Sequence, residues 1–133
     1  MAATAEYDEI ARVVQLYVDG MGRGDVDKLT EALHPDARMF GLESGERFEN
    51  VPIAEFIHFA STTPADTGDF QGRIASVTQV GSAAVALVVV DGAYGDVSYA
   101  DFLSLLKVQG AWKIVNKTYV STGGDFPGEV RAD

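Results

Sequence analysis

Residues 97–120 read Val97-Ser-Tyr-Ala-Asp-Phe-Leu-Ser-Leu-Leu-Lys-Val-Gln-Gly-Ala-Trp-Lys-Ile-Val-Asn-Lys-Thr-Tyr-Val120. Two runs rich in apolar and β-branched residues flank Gln109-Gly110, and this pattern predicts two antiparallel strands joined by a two-residue turn. Such a turn places Asp101 on the same face of the hairpin as Asn116. A one-residue change of the loop would instead bring Asp101 diagonal to Lys117. The sequence leaves the choice between these registers open.

The lysines of the chain concentrate in this hairpin. Three of the four lie within residues 107–117, around the single tryptophan. Lys107 and Lys113 flank the predicted turn, where lysine is typical of a solvated strand edge. Lys117 lies deeper in its strand. The cluster therefore indicates a hairpin more than a basic binding site, with Lys117 as the exception.

The rest of the chain divides into a helical first half and further strands. The strands predicted before the hairpin are residues 37–42, 74–80 and 84–91. In the first half, apolar residues recur at helical spacing. We predict a first helix that ends at Gly20–Gly24, a second helix capped by Asp25, and a third that begins at Pro52.

This order of helices and antiparallel strands predicts the α+β class. We expect one domain across residues 1–133, with a curved antiparallel sheet wrapped over the three N-terminal helices and a loose tail from Thr122. A curved sheet over helices leaves a cavity between the two layers, which is a common location for a small-molecule site.

The charge balance limits the classes of partner. Twenty acidic residues against ten basic ones give a formal net charge of -10, which disfavours binding to nucleic acid and to anionic membranes. The chain has no cysteine, so it offers neither disulfides nor thiolate nucleophiles. The first residues do not resemble a signal peptide. We therefore expect a cytoplasmic protein whose partner is a small neutral or polar molecule.

Three sequence segments carry a resemblance to a known family: His34-Pro-Asp-Ala37, Tyr99-Ala-Asp-Phe-Leu-Ser-Leu-Leu-Lys107 and Gly110-Ala-Trp-Lys-Ile-Val-Asn-Lys117. Following two predicted helices in this order, they make the chain resemble the nuclear transport factor 2-like superfamily from the first helix to Val120. The likeness is greatest to a SnoaL-like branch described as putative lumazine-binding. The resemblance implies a cone-shaped α+β barrel with an internal pocket, and a homodimer formed through the sheet. It does not imply one reaction, because the superfamily includes ketosteroid isomerases, dehydratases, polyketide cyclases, epoxide hydrolases and members that only bind.

Asp101 is the first candidate for chemistry, because it interrupts an otherwise apolar strand. A carboxylate facing a closed cavity can act as a general acid or base. Tyr17, on the apolar stripe of the first helix, and Tyr99 are candidate hydrogen-bond donors to the same space. A carboxylate with phenol donors is the arrangement that enolising isomerases use. In the alternative interpretation Asp101 pairs with Lys117 or lies at a wet rim, and the tyrosines are core aromatics.

Four further residues are candidates for ligand binding: Asn116, Lys117, His34 and Trp112. Asn116 or Lys117 would orient the ligand or balance the charge of Asp101. His34 lies where the resemblance places the mouth of the pocket, and Trp112 shares the predicted face of Asp101. With two separated histidines and no cysteine we predict no metal site, and no glycine-rich phosphate loop indicates a cofactor.

Three functions fit these observations. The first is cofactor-independent acid–base chemistry (an isomerase, cyclase or dehydratase-like reaction) on a hydrophobic ketone, with Asp101 as proton carrier. The second is a non-catalytic binding module for a heteroaromatic ring of the pterin or flavin kind. The third is a docking dimer with an empty pocket.

Overall fold

The computed structural model describes residues 3–126 of the chain. Within them the elements follow in the order α1 (Ala3–Arg23), α2 (Val26–Ala32), β1 (Leu33–Glu43), β2 (Arg47–Pro52), α3 (Ile53–Thr62), β3 (Asp66–Val80), β4 (Ala83–Ala93), β5 (Val97–Val108) and β6 (Ala111–Gly123). The predicted α+β class is confirmed. None of the helices in this part of the chain has the length and hydropathy needed to cross a bilayer.

The six strands form one sheet in the order β2-β1-β6-β5-β4-β3. Four neighbouring pairs are antiparallel as predicted, but β1 and β6 run parallel. The sheet is therefore mixed, and across residues 3–126 its edge strands β2 and β3 are not paired with each other. The parallel pair joins the first strand to the last one, a long-range pairing that no local pattern reveals. α1 contacts β3 and β6, and α3 contacts β1, so the helices cover the sheet.

The hairpin between β5 and β6 begins in the predicted register. Gln109 and Gly110 both have positive φ, at 51° and 83°, which two-residue hairpin turns of type I′ require. Pairing then proceeds from Val108 opposite Ala111 up to Leu105 opposite Ile114.

A β-bulge then shifts the register of this hairpin by one residue. Ser104 pairs with Asn116, so Val115 is extra in β6, and beyond it Leu103 pairs with Lys117. Since side chains alternate between faces along a strand, one extra residue inverts every later side chain of β6. This corrects the predicted face of Asn116, which now points outward, where its Oδ1 accepts a hydrogen bond from Thr118.

The glycines near the end of α1 serve close packing. The helix continues past Gly20 and Gly22 to Arg23, directly before Gly24, so it ends within the predicted Gly20–Gly24 stretch. A Cβ atom added at Gly20 would lie 2.6 Å from the Leu29 side chain. The absence of a side chain there allows α1 and α2 to approach each other. Gly24, with φ of 69°, follows the helix, in the left-handed conformation typical of glycine at a helix end.

The predicted cap of α2 is confirmed, because the Asp25 carboxylate accepts a hydrogen bond from the Lys28 backbone N–H at 3.1 Å. On this helix Leu29 and Ala32 are buried, whereas Val26 is 42% exposed. α2 ends at Ala32, and β1 begins directly at Leu33.

Polar contacts connect the β5–β6 hairpin to the helices. Glu6 of α1 accepts hydrogen bonds from the Trp112 indole N–H at 2.9 Å and from Lys107 Nζ at 3.0 Å. Lys113 Nζ donates to the backbone carbonyl of Glu31 at 2.5 Å. Two of the clustered lysines therefore attach the sheet to the helical layer.

The predicted loose tail is corrected for the residues that the structure describes. Thr122 and Gly123 belong to β6, and the Phe126 ring lies 4.8 Å from the Tyr94 ring and 5.9 Å from the Phe59 ring. These ring contacts pack the half-buried Phe126 side chain against the core. The predicted tail at 127–133 lies outside the described residues.

Gly41 of β1 leaves room for the Tyr119 ring on the neighbouring strand. The two residues pair across β1 and β6, and a Cβ atom added at Gly41 would overlap the ring. We therefore expect Gly41→Ala to lower the free energy of unfolding by about 1–3 kcal/mol, because the ring must move. Urea denaturation measures the loss. The matched control is Gly123→Ala, where an added Cβ meets nothing within 4 Å; equal effects of the two substitutions would contradict this explanation.

Candidate functional site

A cavity of about 840 Å³ lies between the helices and the inner face of the sheet. Its walls come from α1, α3 and four strands, with Tyr94 and Phe126 from connecting segments. The lining residues are Met21, Met39, Glu43, Ser44, Glu46, Arg47, Glu49, Val51, Glu55, Phe56, Phe59, Tyr94, Tyr99, Asp101, Lys117, Tyr119 and Phe126.

Asp101 lines this cavity and is 1% exposed. Its Oδ2 accepts a hydrogen bond from the Tyr17 hydroxyl at 2.5 Å, the short distance typical of an O–H donor on a carboxylate. Its Oδ1 is buried and has no hydrogen-bond partner among residues 3–126. Tyr17 is fully buried on α1, and burial, reinforced by the negative charge of Asp101, raises the pKa of its phenol far above the ordinary value. Tyr17 therefore stays a donor at neutral pH and fixes one of the two carboxylate oxygens.

Lys117 is the buried cation among the described lining residues of the cavity and is 3% exposed. Its Nζ lies 3.7 Å from the centroid of the Phe56 ring, 5.2 Å from that of Tyr17 and 5.4 Å from that of Tyr119. Within residues 3–126 the ammonium group has no hydrogen-bond or ion-pair partner. Burial lowers the pKa of Lys117, and the negative charges of Asp101, Glu49 and Glu43 oppose this effect. The aromatic rings supply cation–π attraction but only part of the solvation that water would give.

The bulge at Val115 brings Lys117 and Asp101 into the same cavity. Asp101 pairs with Tyr119 and Leu103 pairs with Lys117, so Asp101 and Lys117 are diagonal neighbours on the inner face, with about 7–8 Å between such positions. The two side chains do not form a direct ion pair. The amine and the carboxylate therefore both border the cavity without neutralising each other in a direct ion pair.

Two further tyrosines of the cavity also donate to carboxylates. The Tyr99 hydroxyl donates to Glu43 at 3.0 Å, and the Tyr119 hydroxyl donates to Oε1 of Glu49. Burial is the main cause that raises the pKa of both phenols. Since a phenol has one O–H, neither of these groups has a second proton to donate to a ligand.

Tyr94 is the exception among the tyrosines that line the cavity. Across residues 3–126 its hydroxyl has no hydrogen-bond partner. Its backbone has φ of 54°, an unfavourable conformation for a bulky residue that persists only where the surroundings impose it. Here the Tyr94 N–H donates to the Ala65 carbonyl at 2.8 Å, and the ring contacts those of Phe59 and Phe126. This conformation holds a phenol donor in the cavity wall.

The structure brings together four of the candidate residues from the sequence analysis: Asp101, Tyr17, Tyr99 and Lys117. It does not bring the other three into the cavity. The Trp112 indole belongs to the core and bonds to Glu6, because it lies before the bulge. His34 Nδ1 accepts from the backbone N–H of Asp36 at 3.0 Å. Asn116 faces outward, beyond the bulge.

Sequence reasoning missed Glu43, Glu49, Tyr94 and Tyr119. A regular hairpin would direct Tyr119 to the other face, and only the bulge turns it inward. Glu43 belongs to β1, whose pairing with β6 is long-range, and Glu49 belongs to β2, which reaches the site through its pairing with β1. The one available signal was Tyr94 in Gly92-Ala-Tyr-Gly95, a bulky residue in a turn that needs unusual backbone angles. Within the part of the chain that the structure describes, no three His, Cys, Asp or Glu side chains are grouped as ligands for a metal ion.

The depressed pKa of Lys117 predicts a pH dependence of stability. Between the folded-state pKa and the ordinary lysine value, the unfolded chain binds more protons than the folded one, so the free energy of unfolding rises with pH. The rise is about 1.4 kcal/mol for each pH unit that separates the two pKa values. We expect Lys117→Met to remove this rise, so that wild type gains stability relative to the variant as the pH rises toward the ordinary lysine pKa of about 10.4.

Urea denaturation of both proteins across this pH range measures the difference, and the buried tyrosines are common to both. Lys28→Met is the control for loss of a lysine outside the cavity. A difference between wild type and Lys117→Met that stays constant with pH would contradict the assigned direction of the pKa change.

Known proteins share both the sequence pattern and this fold. The family model described as putative lumazine-binding matches residues 5–120. Aldolase FrzH from Cladobotryum sp is 26% identical over 118 residues, which cover 89% of this chain and 93% of FrzH. A nuclear transport factor 2-like protein of unknown function from Shewanella baltica has 27% sequence identity and a TM-score of 0.83, covering 93% of this chain and 99% of that one. A similar protein from Methylobacillus flagellatus has 29% identity and a TM-score of 0.80, covering 92% and 96%. The chain therefore belongs to the putative lumazine-binding family within the nuclear transport factor 2-like superfamily.

Proposed function

We propose that the protein is a cofactor-independent enzyme that moves a proton to and from the carbon next to a carbonyl group in a hydrophobic ketone. The observation that carries this proposal is the Asp101 carboxylate, buried at the cavity with Oδ2 fixed by Tyr17 and Oδ1 unpartnered among the described residues. A buried oxygen left without a hydrogen bond costs about 1–3 kcal/mol. A proton-accepting role explains why such a group is kept.

The enolate formed by loss of that proton needs a positive charge or a donor near its oxygen. The hydroxyls of Tyr17, Tyr99 and Tyr119 already donate their hydrogen bonds to carboxylates. Among residues 3–126, the Lys117 ammonium group and the Tyr94 hydroxyl line the cavity without a hydrogen-bond partner, so both can donate to a ligand. In this proposal Asp101 is the base, Tyr17 positions it, and Lys117 with Tyr94 stabilises the oxyanion, which revises the donor role expected for Tyr17 and Tyr99.

The aldolase among the relatives supports a carbonyl substrate. Aldol bond formation begins with the same step as isomerisation, which is removal of a proton next to a carbonyl. FrzH, whose match covers 89% of this chain, is named for aldol chemistry. The aromatic walls of the cavity, from Phe56, Phe59 and Phe126, suit a ketone with an apolar or aromatic body.

Deuterium exchange tests this function directly. In heavy water, wild type is expected to exchange the protons next to the carbonyl of acetophenone, β-tetralone or androstenedione faster than buffer. Asp101→Asn keeps an oxygen that accepts from Tyr17 but removes the base, so the rate should fall about 100-fold or more. Proton NMR of the ketone measures the rate.

Asp8→Asn is the matched control, because it removes the same charge from an exposed position of α1. The proposal is contradicted if wild type exchanges none of the three ketones faster than buffer, or if Asp101→Asn exchanges as fast as wild type.

A non-catalytic binding module is the second candidate function. It is favoured by the rings of the cavity wall and by the family description, which points to a flat heteroaromatic ligand. The same variant separates the two functions. A binding module would bind lumazine with equal affinity in wild type and Asp101→Asn, and would exchange no ketone in either form.

We also propose that two copies of the chain pair through the outer face of the sheet. Val85, Val89, Phe102 and Leu106 lie on this face, and Phe102 is 50% exposed. Adjacent exposed apolar side chains of this kind mark association surfaces.

A charge at the centre of this face should separate the copies. We expect Phe102→Glu to weaken self-association by roughly tenfold or more, because a desolvated carboxylate has no partner there. Analytical ultracentrifugation measures the equilibrium. Val80→Glu, at a 79% exposed position beside the β3–β4 turn, is the control. A wild-type protein that sediments as a monomer would rule this pairing out.

A further inference from the structure

We propose that Lys117 is a covalent nucleophile, which forms an iminium link with the carbonyl carbon of a ketone or aldehyde in the cavity. This inference deepens the proposed function and rests on the same cavity and substrate class. It assigns to Lys117 bond formation with the substrate in addition to charge stabilisation.

The surroundings of Lys117 differ from those of the other lysines. Lys107 forms an ion pair with Glu6 at 3.0 Å, and Lys113 donates to the Glu31 carbonyl at 2.5 Å. Lys28 is half-exposed on α2. Lys117 alone among the four is buried, lines the cavity and has no hydrogen-bond or ion-pair partner within residues 3–126.

The groups around Lys117 favour a reactive amine. Three aromatic rings surround Nζ, with Phe56 at 3.7 Å, and they desolvate the charged form without offering a hydrogen-bond acceptor. The carboxylates of Asp101, Glu49 and Glu43 act in the opposite direction, but Asp101 Oδ2 and Glu49 already accept hydrogen bonds from the Tyr17 and Tyr119 hydroxyls. The net direction is a lowered pKa of Lys117. Desolvation in an apolar pocket is an established way of activating a lysine nucleophile.

The proposed steps balance without an external oxidant or cofactor. The neutral amine attacks the carbonyl carbon, so the N–C bond forms and the π electrons of the C=O bond move to oxygen, which takes up a proton. After transfer of a proton from nitrogen, the hydroxyl group is protonated and leaves as water, giving the positively charged C=N link. From the ammonium form, the sum is ammonium plus carbonyl giving iminium plus one water.

Asp101 then acts on the linked substrate. Its carboxylate removes a proton from the carbon next to the iminium, and the C–H electrons form the enamine. In one branch the enamine takes the proton back from Asp101 at the same or another carbon. In the other its carbon attacks the carbonyl carbon of an aldehyde, the C–C bond forms as the C=O π electrons move to oxygen, and that oxygen takes the proton from Asp101. One water hydrolyses the iminium and restores the amine. The diagonal placement of Asp101 and Lys117 on the inner face of the hairpin suits this division of roles.

Covalent trapping tests the proposal on wild-type protein. Two probes are used. Acetylacetone forms a stable enaminone with a neutral amine. Cyclohexanone forms an iminium link with the amine, which borohydride reduces to a stable secondary amine. We expect one adduct, mapped by peptide mass spectrometry to Lys117, forming about tenfold or more faster than at any other lysine, because a lowered pKa leaves more of the amine neutral. Lys28, Lys107 and Lys113 are internal controls. Absence of a Lys117 adduct with both probes, or equal labelling of all four lysines, overturns the proposal.

A substitution pair separates this inference from the proposed function. Lys117→Arg keeps the positive charge but cannot form an iminium, so it should abolish deuterium exchange if the link is required. Exchange that depends on Asp101, survives Lys117→Arg and yields no adduct would leave the enzyme proposal standing and overturn the iminium. A Lys117 adduct in a protein that exchanges no ketone would support the nucleophile and contradict the enzyme proposal. An intact urea transition of Lys117→Arg excludes misfolding as the cause of its loss, and Lys117→Met, which removes both charge and amine, is measured in the same way.

Discussion

The site depends on the single extra residue in β6. A strand presents alternate side chains to opposite faces, and a hairpin without the bulge at Val115 would direct Lys117 and Tyr119 outward. The cavity would then contain Asp101 without a cation nearby, and Tyr119 could not reach Glu49. With the bulge, the segment near the turn still bonds to α1 through Trp112, while the segment beyond it faces the ligand space. One register shift thus divides the same strand into a half that packs against α1 and a half that lines the cavity.

The charges of the cavity follow from how hydrogen-bond donors are distributed. Tyrosines donate to each of the carboxylates of Asp101, Glu43 and Glu49, which lowers the cost of keeping these groups away from water. Lys117 receives only ring faces among residues 3–126. The result is a buried cation whose compensation is incomplete beside a carboxylate with one unpartnered oxygen. Such imbalance costs stability, and its location at the wall of a large cavity is where proteins retain it for chemistry or binding.

Local patterns were sufficient for all three helices and for five of the six strands that the structure describes, but not for β2 or for the site. The alternation of Tyr99–Val108, the Gln109-Gly110 turn and the Asp25 cap each depend on a few neighbouring residues, and the structure confirms all three. Asp101 could be singled out because a charged residue in an apolar run is visible in the sequence. The bulge could not, because Val115 is as suited to a regular strand as to an irregular one. The contribution of Glu43 and Glu49 depends on the pairing of β1 with β6, which joins residues far apart in the chain.

That same parallel pair has a consequence for how the chain is made. β1 emerges from the ribosome early but finds one of its two neighbours only when the last strand, β6, has been synthesised. Contacts between residues so distant in sequence are formed late and slowly, because the entropy of closing the intervening chain must be overcome first. Until then the β6 edge of β1 is open, and Lys117 and Asp101 have no common cavity. The nascent chain is therefore without a ligand site until its final segment is in place, and the exposed edge of β1 is the surface for which protection during synthesis matters most.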